Sequence, residues 1–221
     1  SDCAILYRSN AQSRAFEHTL MRAAIPYKVY GGLRFFERAE IKNALAYLRL
    51  MENPNDDTAF VRIVNFPARG IGNRSLEQLQ DIAKQRGLSL YAAASFVTGK
   101  AGSSLGVFIK LLESMRFQTQ GLPLAEIVEH AIVHSGLLQH YKEAKEGEER
   151  LENLEELVSA AVNFNAEEGY ALDAPATTAE VENELPSPLA AFLAHASLEA
   201  GENQASSGQD AVQLMTVHAS K

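Results

Sequence analysis

Strand-forming sequence is confined to the two ends of this 221-residue chain, and nearly everything between them reads as helix. Near the start, Cys3-Ala4-Ile5-Leu6-Tyr7 is a short apolar run with β-branched and aromatic members, followed by Arg8-Ser9-Asn10, whose side-chain oxygens suit a helix start. A helix is expected from about Ala11 to Ala24, stopped by Pro26, and a second strand at Tyr27-Lys28-Val29-Tyr30, ended by Gly31-Gly32. Two strands joined by a helix are parallel, and a parallel pair needs neighbours. The only other convincing strand is Ala211 to Val217, so the two ends are expected to meet in one sheet.

The middle of the chain repeats apolar residues at helical spacing over Glu37 to Met51, Asp57 to Phe66, Ser75 to Arg86, Leu88 to Val97, Leu105 to Phe117, Leu124 to His134 and Arg150 to Phe164. Breaks fall at Asn53-Pro54-Asn55, Pro67 to Gly72, Gly99 to Ser104, Gly121-Leu122-Pro123 and Gly136. Glu167 to Pro188, with three prolines and no basic residue, reads as a loop. The expected fold is therefore mainly α with a small α/β part, the helices forming an insertion that can move as a unit. No internal repeat suggests a solenoid.

The formal charge of -8 argues against a nucleic-acid partner until its distribution is examined. Residues 1–86 carry 13 bases and 9 acids, a net of +4, whereas residues 143–202 carry 2 bases and 15 acids, a net of -13. Only the first part is a phosphate surface by charge. A single cysteine, Cys3, allows neither an internal disulfide nor a multi-cysteine zinc site. With no bilayer-length apolar run and no signal-like start, the expectation is a cytoplasmic protein without membrane contact.

Self-contained ATP chemistry is not expected. The only Gly-Lys pair, Gly99-Lys100, is followed by Ala101 and has Ala94 where a phosphate-binding loop requires its first glycine. His130 and His134 stand four apart on an expected helix, but Ala131 occupies the place of the general-base glutamate of an HExxH zinc motif. No metal site is expected, and a metal-dependent nuclease lacks clustered carboxylates at a strand tip.

The most specific local signal is Pro67-Ala68-Arg69-Gly70-Ile71-Gly72-Asn73-Arg74-Ser75, a glycine hairpin between two helices. Glycines let a backbone approach a foreign surface, amides entering the next helix point outward, and Arg69 and Arg74 flank them, as in a helix-hairpin-helix clamp on duplex phosphates. A plain tight helix-helix turn fits the same residues. Gly31-Gly32-Leu33-Arg34-Phe35-Phe36-Glu37-Arg38 offers two glycines, arginine and paired aromatics, suited to gripping a single strand or to stapling the next helix. At the end, Thr216, His218 and Ser220 present polar groups where open α/β sheets bind ligands.

Together, Ala4-Ile5-Leu6-Tyr7-Arg8-Ser9-Asn10-Ala11-Gln12-Ser13-Arg14, Tyr30-Gly31-Gly32-Leu33-Arg34-Phe35-Phe36-Glu37-Arg38-Ala39-Glu40-Ile41-Lys42, the Arg69-Gly70-Ile71-Gly72 hairpin and Val212-Gln213-Leu214-Met215-Thr216-Val217-His218-Ala219-Ser220-Lys221 resemble the UvrD/PcrA/Rep family of superfamily 1 DNA helicases over the whole chain. The resemblance implies a piece of an ATP-dependent 3′ to 5′ helicase of repair and replication. Residues 1–31 and 206–221 would belong to the second RecA-like motor domain, 2A, and residues 32–205 to its helical insertion, 2B. ATP and magnesium would be held by other parts of the parent protein, leaving this piece without a cofactor and without ATPase activity of its own. Implied DNA contacts are Arg8, Asn10 and Arg34 with Thr216 and His218 on the single strand, and Gly70, Ile71 and Gly72 with Arg69, Arg74 and Ser75 on duplex near a junction. The Gly-Leu-Glu that follows the lysine in relatives is absent. Implied partners are DNA, the remaining domains 1A, 1B and 2A, and repair proteins; the hinges would lie near Gly31-Gly32 and in Gly201 to Gly208. The rival expectation is a protein-interaction module docking a repair partner through the acidic helices from Glu148 onward.

Overall fold

The two ends of the chain do meet. In a computed structural model that describes residues 3–145, 147–167, 186–201 and 210–220, β1 (Ala4–Tyr7), β2 (Tyr27–Tyr30) and β3 (Val212–Thr216) form a parallel sheet of order β1-β3-β2. The last strand lies between the first two, with Ile5 and Val29 both opposite Leu214. Helix α1 (Ser13–Arg22), entered through a short 3-10 turn at Asn10–Gln12, connects β1 to β2. Strand alternation sends Tyr7, Tyr27, Val29 and Leu214 to one face, where Leu20 and Met21 of α1 cover them. The other face leaves Leu6 and Tyr30 exposed.

The helical body comprises α2 (Ala39–Glu52), α3 (Asp57–Ile63), α4 (Asn73–Arg86), α5 (Leu90–Ala93), α6 (Gly99–Gln118), α7 (Leu124–His134), α8 (Leu137–Lys142), α9 (Gly147–Glu167) and α10 (Pro188–Gly201). Its core is continuous from Phe35 to Ala196 and centres on α2, whose Ile41, Tyr47, Leu48 and Leu50 are fully enclosed. Asp56 starts α3 by accepting the Ala59 amide at 2.9 Å, and Ser89 starts α5 by accepting that of Ala92 at 3.2 Å.

Three expectations change. Helix α6 begins at Gly99, inside the stretch read as a break, because burial of Leu105, Phe108, Leu112 and Met115 outweighs the poor helix propensity of its Gly/Ser start. Helix α8 was not anticipated, nor was α10, which begins at the end of the stretch read as a loop. Its sequence is apolar nearly all round, so it shows little helical periodicity, yet Leu189, Phe192, Leu193 and Ala196 are buried. The rest of that expected loop, residues 168–185, lies outside the described residues, as do residues 202–208 of the expected second hinge.

A buried polar network fastens the sheet unit to the helical body. The Arg38 guanidinium donates to Ser13 Oγ of α1 at 2.6 Å, to Asn153 Oδ1 of α9 at 2.8 Å and to the Leu33 carbonyl at 3.3 Å. Asn153 in turn donates to Glu40 Oε1 of α2 at 2.6 Å. Beside it, the buried Glu17 carboxylate accepts the Phe35 amide at 3.2 Å, and burial pushes this carboxyl above the usual range despite Ser13, Phe35, Arg38 and Arg34 around it. Removing one member of such a set leaves buried partners unpaired. Arg38→Ala is expected to lower unfolding free energy by about 3–5 kcal/mol in urea denaturation, and Arg38→Lys to recover only part of it, since an ammonium cannot span the three acceptors in one plane.

Candidate nucleic-acid interface

The residues singled out in the sequence fall into two separate groups. At the C-terminal ends of the three parallel strands, Arg8, Asn10, Thr216 and His218 come together. The Val217 amide donates to the Tyr7 carbonyl at 3.0 Å, which carries the tip of β3 alongside the exit from β1. Arg8 and His218 are exposed, and Asn10 and Thr216 are half-buried. This edge is where open α/β sheets present ligand-binding groups. The turn after β2 completes it. Gly31 has φ 76°, and a Cβ there would lie 2.6 Å from Ala219 Cβ, so the glycine permits both the left-handed turn and the close passage of the β3 tip.

Arg34 does not join that edge. It is buried, donates from Nε to Glu37 Oε2 at 3.0 Å, and donates from its other nitrogens to the carbonyls of Glu199 and Ala200 at the end of α10. In this structure it closes the last turn of α10, where unpaired carbonyls and the negative end of the helix dipole favour a cation. Phe35 and Phe36 are likewise buried, their rings edge to face at 5.0 Å, which makes them the staple beneath α2 and not a stacking platform.

The glycine hairpin joins α3 to α4, and its parts point in opposite directions. Ile71 is buried in the helical core. The Arg69 guanidinium turns inward, donating to Tyr47 Oη at 2.7 Å and to the carbonyls of Ser135 at 2.7 Å and Pro67 at 2.9 Å, and lying over the Phe108 ring at 5.3 Å. Burial pushes the Tyr47 hydroxyl up to about 12, Arg69 pulling the other way, so it stays protonated and donates to the Phe66 carbonyl at 2.6 Å. Both residues therefore act as struts of the corner. Asn65, unmarked by the sequence reading, completes the frame: its Oδ1 accepts the amides of Arg69 at 2.8 Å and Ile71 at 3.1 Å. The signal for it is an asparagine a few residues before a glycine turn, where its side chain can replace a turn's backbone acceptor.

Gly70, Gly72, Asn73 and Arg74 are exposed, and Ser75 is half-buried. Neither Gly70 nor Gly72 has a neighbouring atom within 4 Å of where a Cβ would sit. Gly72 is the N-cap of α4 and contributes no side chain, and the first turn holds no acid. The start of α4 is thus open to an anion, with Arg74 beside it.

Several other titratable groups are engaged within the chain. Along one face of α9, Glu149, Glu152 and Glu156 accept hydrogen bonds from Asn10, Ser9 and Arg14, the last at 2.5 Å. His130 and His134 stack at 3.8 Å, and His134 Nδ1 lies 3.1 Å from the His130 carbonyl. A grouping the sequence reading missed joins His18 of α1 to His195 and Glu199 of α10. The missed signal was His195 and Glu199 four residues apart, invisible while α10 was not read as a helix.

A small parallel sheet closed by a strand that returns after a long helical excursion, with exposed polar residues at its C-terminal edge, defines an α/β unit carrying a helical insertion. A family model for the UvrD-like helicase C-terminal domain matches residues 1–221, and the chain belongs to that family. It is 47% identical over 229 residues to DNA helicase II of Escherichia coli strain K12, 38% identical over 234 residues to the ATP-dependent DNA helicase PcrA of Bacillus subtilis and 40% identical over 229 residues to the ATP-dependent DNA helicase Rep of Salmonella typhimurium. Each match covers 100% of this chain but only 30%, 30% and 32% of those proteins. No helix among the described residues is long and apolar enough to cross a membrane.

The edge depends on Gly31. Gly31→Ala adds a left-handed strain of about 1–2 kcal/mol and an overpacking cost of about 1–3 kcal/mol against Ala219. Loosened pairing of β3 is the expected result, read as faster amide hydrogen exchange at Leu214 and Thr216 than in the helical core.

Proposed function

We propose that the chain is the insertion-bearing part of an ATP-driven DNA helicase, with residues 1–31 and 206–221 belonging to motor domain 2A and residues 32–205 to the 2B insertion. Its own role is to hold DNA backbone: the sheet edge at Arg8, Asn10, Thr216 and His218 meets the single strand, and the corner at Gly70, Gly72, Arg74 and Ser75 meets duplex near the junction. ATP and magnesium act in the parent protein through domains 1A, 1B and the rest of 2A, and the unwinding runs 3′ to 5′ in repair and replication. The exposed face of the sheet supports this, because parallel sheets are covered on both faces and the relatives have more chain with which to cover it.

The observation that carries the duplex contact is the open α4 start at Gly72, flanked by Arg74 and held rigid by Ile71, Arg69 and Asn65. Its contacts ignore base identity, so binding is sequence-independent and salt-sensitive. The rival reading, docking of a repair protein through the acidic helices, is disfavoured by the engagement of Glu149, Glu152 and Glu156 with this chain's own first segment.

Gly72 supplies a clean test. Its φ of -83° and ψ of 173° suit any residue, and a Cβ meets nothing, so Gly72→Ala leaves the fold intact while holding phosphate away from the amides. Fluorescence anisotropy with a duplex carrying a single-stranded tail should show binding weakened about tenfold, equivalent to ~1.4 kcal/mol. Arg74→Ala should reduce the salt dependence by about one released ion. Unchanged affinity in both variants, or binding insensitive to salt, removes the corner from the mechanism.

A further inference from the structure

The proposed DNA contacts make no use of the cluster that joins α1 to α10. His195 and Glu199 lie one helical turn apart on α10, and His18 reaches them from α1, 181 residues from Glu199 in the chain. His18 Nδ1 is 2.7 Å and His195 Nε2 is 2.9 Å from the same oxygen, Glu199 Oε1, and the three ligand atoms lie within 4.8 Å of one another. The two imidazole rings meet edge-on at 5.6 Å, and the His195 ring also rests against Phe164 at 5.2 Å. Glu199 is buried while both histidines are partly accessible, with side-chain exposures of 6%, 16% and 25% for Glu199, His18 and His195. A cavity of about 180 Å³, lined by His18, His195, Asn163, Thr19 and Arg14, opens beside them.

We propose that His18, His195 and Glu199 bind a divalent transition-metal ion of the zinc type, with its fourth position open to that cavity. Two imidazoles and one carboxylate are a donor set that zinc accepts with a water in the remaining place. Bonds of about 2.0–2.1 Å to a tetrahedral ion set ligand atoms roughly 3.3 Å apart. The pairs now at 2.7 and 2.9 Å therefore need to open by about half an ångström, which small rotations of two partly exposed imidazoles provide. The hydrogens directed at Glu199 shift to the other ring nitrogens or leave to solvent as the lone pairs turn to the ion. Burial pushes the Glu199 carboxyl up, but the hydrogen bonds from His195 and His18 outweigh it and hold it below the usual range, so the carboxylate is ionised. The nearby cation Arg14 is matched by Glu156 at 2.5 Å. Because the ligands come from α1 and α10, the ion pins the last helix of the helical body to the sheet unit.

Zinc titration of the 221-residue chain by calorimetry tests this, with cobalt as a spectroscopic stand-in whose visible absorption reports coordination. One ion per chain is expected, with a rise in Tm of roughly 5–10 °C at about a hundredfold excess over Kd. His18→Gln and His195→Gln should each weaken binding about tenfold or more, circular dichroism confirming the fold. His18 is the decisive position, since a two-residue site on α10 alone would not sense it. The double variant His130→Gln/His134→Gln controls for the other histidine pair and should bind as the parent does. Undiminished binding by His18→Gln, loss of binding in the double variant, or no binding at about 1 mM zinc would each overturn the proposal.

Discussion

The guanidinium of Arg38 is the point through which the two parts of this molecule are joined. It is buried where α1, α2 and α9 meet and has hydrogen-bond acceptors from α1, α9 and the segment before α2. Burial pulls its pKa down and the carboxylates of Glu17 and Glu40 pull it back up, and the guanidinium stays charged throughout. An apolar replacement of the whole set would hold the same helices together without fixing their relative rotation. A charged, three-way hydrogen-bonded centre admits one arrangement, and that arrangement aligns α1 with α9.

Further contacts between the sheet unit and the helical body repeat this chemistry. His18 meets Glu199, and the acidic face of α9 receives Ser9, Asn10 and Arg14. By contrast, the hydrophobic clusters are separate, one for the helical body and a much smaller one beneath the sheet. Apolar packing stabilises each part within itself, and polar, charge-assisted bonds span the join. Such bonds can be exchanged for water or for another charged partner at modest net cost, which apolar burial does not allow. A joint built this way is suited to repositioning.

The strands and their meeting were legible in the sequence because a parallel β-α-β unit demands a neighbour and the chain offers a single candidate. The corner was legible because glycines between helices mark a tight approach. What the sequence did not carry was direction. Arg34 and Arg69 look like phosphate ligands by type and company, yet both turn inward to carbonyls, Arg69 drawn by Tyr47 and Ser135 from distant helices. Ile71 was read as a contact and serves as core, and of the two roles open to Phe35 and Phe36 the structure shows the staple. The acidity of residues 143–202 suggested a surface for a partner protein, but the spacing of Glu149, Glu152 and Glu156 matches three donors whose proximity only the fold creates. Helix α10 was obscured for the opposite reason, since its exposed side carries apolar residues such as Ala194 and Leu198 and so offers no polar face to reveal its period.

Asn10 links these observations. On the proposed reading its side chain meets the single strand at the sheet edge, yet here its amide nitrogen donates to Glu149. One side chain cannot serve a phosphate-bearing strand and a glutamate in the same place, and a phosphate would be repelled by the α9 carboxylates in any case. Binding of the strand at this edge and docking of α9 against Ser9, Asn10 and Arg14 therefore compete. Strand binding draws its strength from released counterions and weakens with salt, whereas the Arg38 centre is buried and far less screened. On the proposed reading, a strand at this edge would displace the exposed Ser9 and Asn10 bonds to α9 first, while the buried Arg38 bonds would keep α1 against α9.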